Sequence, residues 1–273
     1  MSSATSSTQA GADRPGKKNL LFGLSNTLVY RLLSIVAVFG IWEIAGRIPI
    51  SVAFPTFGET MQALFEMTLD GRMVHAYGET LKPLATGVII SGVFGVVIGV
   101  GMGLNRLFQW MWEPIFIVLQ ASPVAALIPL ITYAYGIGLT AKTVAVIMLA
   151  APIIVLNTYK AVRNASPSLI QMSRSFQGTR MQEIWKVIIP SAAPIIFAGL
   201  RLGVAAGFIG VILAELLITP TGLGDLISYH RSIAEYPQMY AAVFSIIVFS
   251  AVMVGFLENV EVKYFRPEKK KGL

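Results

Sequence analysis

The sequence contains no cysteine and only two histidines, His75 and His230. Disulfide frameworks and cysteine metal sites are thereby excluded, and histidines so far apart make a histidine metal centre unexpected. Charge is also scarce. Asp, Glu, Lys and Arg supply 13% of the residues, about half the roughly 25% typical of a solvated domain. Apolar residues are abundant instead, at 55% with a mean hydropathy of +0.70. Most of the surface must face something other than water, and a bilayer is the simplest answer. The net charge of +7 does not point to nucleic acid, because the basic residues fall between apolar runs, as membrane topology requires.

A helical span needs about 20 largely apolar residues. Six stretches qualify, at about Leu28–Ala45, Leu84–Leu104, Pro114–Tyr133, Thr140–Thr158, Ala192–Ile218 and Tyr240–Leu257. The expected architecture is therefore an all-α, polytopic membrane helix bundle of about six transmembrane helices. Residues 1–27 are Ser-, Thr- and Gly-rich and are expected to form a disordered cytoplasmic tail without a cleaved leader. Their Gly11–Lys18 stretch resembles a phosphate loop by chance, lacking the Ser/Thr after the lysine and a preceding strand. Residues 28–260 form the expected membrane domain and 261–273 a basic cytoplasmic tail. Between the first two spans, Met61, Leu64, Phe65 and Thr68 recur at helical spacing. They predict an amphipathic surface helix that starts after Pro55-Thr56.

Orientation follows from basic residues. Of the 21 lysines and arginines, Arg47, Arg72, Lys82, Lys142 and Arg231 fall on the side away from the N-terminus, and Arg201 lies in a span. The remaining fifteen fall on the N-terminal side. Both termini are expected in the cytoplasm. Two spans carry small residues every four positions: Gly87, Ser91, Gly95, Gly99 and Gly103 in one, Gly199, Gly203 and Gly207 in another. That spacing lines one helix face and predicts close helix packing. Pro123, Pro129 and Pro152 are expected to interrupt their spans.

Residues 166–190 are too polar to span and too patterned for a slack linker. Ser166-Pro167 opens a helix whose Leu169, Met172, Ser173 and Phe176 share a face. Gly178-Thr179 breaks it, and Met181, Ile184, Trp185 and Ile188 define a second helix that Pro190 is expected to end. The result is a cytoplasmic hairpin with exposed aromatic residues, suited to docking another protein.

Here the sequence resembles the cytoplasmic coupling loop of binding-protein-dependent ABC importer permeases. The pattern is Glu-Ala-Ala, three residues, Gly, then about twelve residues to a proline that leads into the next span. Counted back from Pro190, the Glu position is Gln171, the Ala positions are Met172 and Ser173, and the Gly position is Gln177, with Gly178 one residue late. The resemblance covers roughly residues 30–260 and is nearest to the nitrate, sulfonate, taurine and bicarbonate branch. It is carried by Pro55-Thr56, Ser122-Pro123 with Pro129, Tyr135-Gly136-Ile137-Gly138, Asn157-Thr158, Ala214-Glu215 and Thr221-Gly222-Leu223-Gly224-Asp225.

The resemblance implies a type I importer permease fold in the bacterial inner membrane. It implies a homodimer with two ATP-binding cassette ATPase subunits and a periplasmic solute-binding protein. The coupling positions are then Gln171, Met172, Ser173, Phe176, Gln177, Gly178, Trp185 and Pro190. No cofactor is expected in this chain, ATP-Mg being held by the partner ATPase. No catalysis is expected either: an intramembrane enzyme needs a convergent nucleophile, base or metal, and the spans offer none. The implied solute is a small anion such as a sulfonate or nitrate. An ion-coupled secondary transporter is the alternative reading, and it would rest on membrane carboxylates such as Glu215. Gln120, Ser122, Tyr133, Asn157, Arg201 and Glu215 are the candidate path residues, with Arg201 meeting an anion or snorkelling to headgroups and Glu215 pairing with Lys142 as a structural option. Membrane lipids surround the bundle.

Overall fold

A computed structural model of the chain describes residues 18–48, 51, 53–218 and 220–265. The expectations for the extreme N-terminal tail, its phosphate-loop resemblance and residues 266–273 lie outside these residues. The chain divides into two compact units, one up to Gly58 and the other from Glu59 onward.

In the first unit, α1 (Lys18–Arg47) begins ten residues before the expected first span, since no proline stops a helix between 18 and 47. Its C-terminal part meets the segment that follows. Trp42 Nε1 donates to the Pro55 carbonyl at 3.2 Å, and Glu43 Oε2 accepts the Gly58 amide at 3.0 Å. A carboxylate at a helix start satisfies an otherwise orphaned N–H. Glu43 thus caps the start of α2 (Phe57–Leu69) while its other oxygen holds Arg47 at 2.8 Å.

In the second unit, α2 turns a different face inward than the pattern predicts. Thr60, Ala63 and Met67 are buried and Leu64 half-buried, while Phe65 is 64% exposed. The helix is rotated because it packs on a cluster with Met73, Ala76, Leu223, Ala241 and Ala242 rather than lying free on a surface. A turn at Gly71 (φ +82°) leads to α3 (Arg72–Leu104). Arg72 donates side-chain and backbone hydrogen bonds to Asp70, which hold that carboxyl below its ordinary range. Helix α3 starts twelve residues before the hydropathy boundary at Leu84, because its polar first turns still bury Met73, Ala76 and Thr80.

The third expected span is not one helix. It is a pair, α4 (Arg106–Ala121) and α5 (Val124–Tyr135), bent by 102°. Proline disfavours helical backbone in the residue before it. Ser122 accordingly sits at φ −69°, ψ 138° ahead of Pro123. Pro129 and Pro152, also expected as interruptions, lie inside continuous helices. Gly136 (φ +79°) and Gly138 (φ +140°) turn the chain into α6 (Leu139–Arg163), a backbone path that L side chains resist.

Helix α6 lies between α3 and α9 (Ile189–Leu217), and the two glycine faces explain how. A Cβ on Gly87 would fall 2.5 Å from Val146, and one on Gly103 would fall 2.5 Å from Val162. Ile154 is fully buried and pressed from both sides, by Gly95 of α3 and Gly203 of α9. Lipid tails are as apolar as these side chains, so hydrophobic transfer gives helices little reason to associate in a bilayer. Close backbone approach gives dispersion contacts that lipid does not match. On the opposite face of α3, Ile89, Val93 and Val97 are about 60% exposed, as suits contact with acyl chains.

Helices α10 (Leu223–Ser232) and α11 (Tyr236–Phe265) complete the unit. Among the described residues, five helices are long and apolar enough to cross a membrane, or six if the bent α4–α5 pair counts as one span. The fold is an all-α membrane bundle.

Candidate functional site

The hairpin forms between α6 and α9. Pro167 opens α7 (Pro167–Ser175), where a missing N–H costs nothing. Helix α7 buries none of its residues. Its Ile170 alone leans on the cluster formed by Ala161, Val162, Ala165 and Ile188. The chain then reverses through Phe176, Gln177 and Gly178. Gln177 adopts φ +55°, and the Gly178 amide donates to the Ser173 carbonyl at 3.0 Å. A Cβ on Gly178 would fall 2.8 Å from Ser173 Oγ, so the tight reversal needs glycine there. The left-handed residue is thus Gln177, the glycine position of the coupling-loop pattern, and the displaced Gly178 serves close approach instead.

Thr179 caps the short helix α8 (Arg180–Glu183), with the Gln182 side chain reaching back to the Thr179 amide. Pro190 was expected to end this second helix, and it does not. A π turn at Ile184–Ile188 joins α8 to α9 without a break, and the Ile189 amide reaches the Ile184 carbonyl five residues back. The wider turn absorbs a proline that has no N–H to give. The continuous body from Arg180 to Leu217 has 38 residues, about 57 Å at 1.5 Å each, against a hydrocarbon core of about 30 Å. The body is therefore long enough to project beyond that core, and the polar hairpin stands at its N-terminal end.

On this projection Met172 is 51% exposed, Phe176 80%, Met181 64% and Trp185 63%. Gln171 is also exposed, while Ser173 is half-buried against the reversal. The predicted hairpin residues therefore come together on one protrusion, with Pro190 at the membrane side of it in the first turn of α9.

At the other end of α9 lies a buried polar network. Lys142 Nζ donates to Glu215 Oε1 at 2.8 Å, to the Thr221 carbonyl at 3.0 Å and to Thr221 Oγ1 at 2.9 Å. The Thr80 hydroxyl lies 3.0 and 2.9 Å from the two Glu215 oxygens and accepts the Leu223 amide at 3.0 Å. The Gly224 amide donates to Glu215 Oε2 at 3.0 Å. All three lysine protons and both carboxylate oxygens are engaged, as burial demands. Gly222 (φ +94°) and Gly224 let the backbone approach, since a Cβ on either would collide with Glu215. The two motifs Ala214-Glu215 and Thr221–Asp225 are thus halves of one structure. Lys142, counted above among the far-side charges, is a buried residue of the first turn of α6, and its pairing with Glu215 is the structural option named for it.

The six path candidates are spread over α4, the α4–α5 bend, α5, α6 and α9. Gln120 and Ser122 flank the bend of α4–α5, and Ser122 Oγ donates to the Val118 carbonyl at 2.8 Å. Tyr133, on α5, is 91% exposed. Asn157 Nδ2 donates to the Ile153 carbonyl at 2.8 Å, and its Cβ fills the space opposite Gly199. Arg201 is ion-paired: its Nη1 lies 3.0 Å from Glu258 Oε2 and its Nε 3.4 Å from Glu261 Oε2, which ties α9 to α11. Glu215 is 2% exposed. Sequence reasoning missed Thr80 in the network and Glu183 in the hairpin. A threonine in an amphipathic helix carries no signal of its own. Glu183 lay three residues after Arg180 and nine after Arg174, a pattern that is visible only once the hairpin closes.

Comparison with known proteins adds to this geometry. The family model described as "Binding-protein-dependent transport system inner membrane component" matches residues 91–266. The permease protein SsuC of Bacillus subtilis (strain 168), assigned to aliphatic sulfonates transport, is 24% identical over 237 residues, 86% of each chain. The taurine transport system permease protein TauC of Escherichia coli (strain K12) is 26% identical over 159 residues, 58% of each chain. A crystal structure of an amino acid ABC transporter with histidines has the same fold, at a TM-score of 0.61 and 17% identity. The match covers 73% of this chain and 97% of that one.

Proposed function

The chain belongs to the family of binding-protein-dependent transport system inner membrane components, and from that membership we propose how its parts divide the work. As an ABC importer permease it is a multi-pass membrane transport protein rather than an enzyme, and its family implies ATPase and binding-protein partners. We propose that two copies form the path. In this reading residues 28–260 are the permease domain, flanked by cytoplasmic tails. The hairpin and both termini face the cytoplasm, and ATP-Mg is bound by two separate ATPase subunits.

The observation that carries this reading is the protruding hairpin, which exposes Phe176 at its reversal and Met181 and Trp185 on the helical body continuous with α9. Large exposed aromatics outside the lipid zone are costly unless a partner covers them. Movement of a partner that grips them would be carried along one helical body into the membrane. This is a rigid-body change between two states rather than chemistry. We assign Gln120, Ser122, Tyr133 and Asn157 to the path, and Arg201 and Glu215 to helix ties. A secondary carrier would need an available membrane carboxylate, and Glu215 is already held by Lys142.

The relatives' solutes, aliphatic sulfonates and taurine, carry a sulfonate group. A small sulfonate or similar oxyanion is the proposed solute. Co-purification in detergent with candidate ATPase subunits tests the assembly. The wild type is expected to retain one, and the Phe176→Asp/Trp185→Asp variant to lose it. Solute uptake that follows an ion gradient, with no ATPase ever retained, would reject the reading.

A further inference from the structure

Helix α7 poses a mechanical problem. At nine residues it is too short to be stable alone, and it buries no side chain against the bundle. Yet it carries Met172 and leads directly into Phe176, half of the exposed surface. Its one apolar anchor is Ile170 on the cluster with Ile188, so more than that single contact must fix its angle to α8.

The structure supplies a buried acid at that junction. Glu183 is 3% exposed, although it belongs to a hairpin whose other charged side chains stand in solvent. Arg174 Nε, from α7, donates to Glu183 Oε2 at 3.2 Å. Arg180 Nη1, from the first turn of α8, donates to Glu183 Oε1. Each carboxylate oxygen therefore has its own guanidinium, and the two arginines approach from different helices. A carboxylate shared by guanidiniums from two helices is geometrically defining, because its charge-assisted hydrogen bonds fix both helices at once. Glu183 also sits immediately before the π turn at Ile184–Ile188, where the hairpin becomes α9.

We propose that Glu183, with Arg174, is a positioning clamp that sets the α7–α8 angle, so that movement of the docked ATPase is passed to α9 instead of being absorbed by the hairpin. This rests on the coupling-hairpin reading above and deepens it. The exposed aromatics grip the partner, and the clamp makes the gripped part stiff. The departures at Gln171 and Gln177 leave the docking surface in place, and the stiffness comes from an acid twelve residues beyond the pattern's Glu position.

The cysteine-free chain allows a direct test. A single Leu217→Cys carries an environment-sensitive fluorophore at the far end of α9, in the complete transporter with its ATPase subunits bound. ATP is then added to the Glu183→Gln, Arg174→Ala and Arg174→Lys variants. Glu183→Gln and Arg174→Ala are expected to retain the ATPase and hydrolyse ATP while the ATP-dependent fluorescence change falls roughly fivefold or more. Arg174→Lys, which keeps the charge, is expected to preserve the change. Arg174 is 63% exposed at its side chain, so its truncation opens no cavity and serves as the control for a Glu183 variant that misfolds. A full fluorescence change in both clamp-breaking variants overturns the proposal. Loss of the ATPase from both also overturns it, since Glu183 would then act in docking. A wild-type chain that never retains an ATPase rejects the importer assembly itself, and that result is visible before any variant is made.

Discussion

Lys142 Nζ and Glu215 Oε1 lie 2.8 Å apart across 73 residues of sequence, both buried. The pair joins α6 to α9, and through Thr80, Thr221 and Gly224 it also fixes α3 and the turn into α10. Removal of one member strands a charge, which typically costs about 3–5 kcal/mol, whereas replacing both by apolar residues costs much less. Lys142→Met and Glu215→Leu are each expected to lower thermal stability sharply in detergent. The double variant is expected to lose less than their sum, with a coupling of about 1 kcal/mol or more. Additive losses would show that the two charges act independently.

The grip on Ile154 gives a second expectation. Gly203→Ala places a methyl group into Ile154. Overpacking of this kind costs about 1–3 kcal/mol. Ile154→Val should relieve part of it, so the double variant is expected to melt above Gly203→Ala alone. If Gly203→Ala melts with the wild type, α9 shifts away from α6 freely and the close packing is unimportant.

The backbone at Gln177 yields a stabilising change. A non-glycine residue in the left-handed region costs roughly 1–2 kcal/mol, partly offset by the chain entropy that glycine brings. Gln177→Gly is expected to stabilise the hairpin by about 0.5 kcal/mol and to slow its proteolysis while leaving ATPase retention intact. Faster cleavage would mean that the glutamine side chain contributes more than its backbone costs.

Topology can be read by labelling. In the cysteine-free chain, Ser168→Cys is expected to react with a membrane-impermeant maleimide only after cells are opened, and Ser232→Cys in intact cells. Both positions are exposed. The reverse pattern would invert the orientation.

Hydropathy located the helical spans because bilayer burial acts on every residue of a span alike. It failed where a different force sets the boundary. The first turns of α3 are polar yet helical, since Met73 and Ala76 pack on α10 and α11. The 102° bend depends on Pro123 acting on Ser122, while Pro129 sits in a helix without breaking it. Sequence alone gives no way to tell such prolines apart. The hairpin was legible because its apolar residues recur at helical spacing between a proline and a glycine. The face that α2 buries was not, because Met61 and Phe65 are as apolar as Ala63 and Met67 and only the neighbouring helices decide between them. The meeting of Ala214-Glu215 with Thr221–Asp225 was quotable as two motifs but not as one network, because Lys142 and Thr80 join it from distant helices.

The π turn at Ile184–Ile188 inserts one residue beyond the α-helical count. One residue is about 100° of rotation about a helix axis. A π turn takes up that rotation by widening, so it acts as a register spacer that keeps the hairpin in phase with everything embedded below it. Deleting a single residue there is expected to close the turn to ordinary α-helix, with Met181 keeping its bearing relative to Arg201. A lineage could gain or lose one codon at this joint without re-aiming the docking surface away from its ATPase, whereas the same change elsewhere in the body would turn it by about 100°.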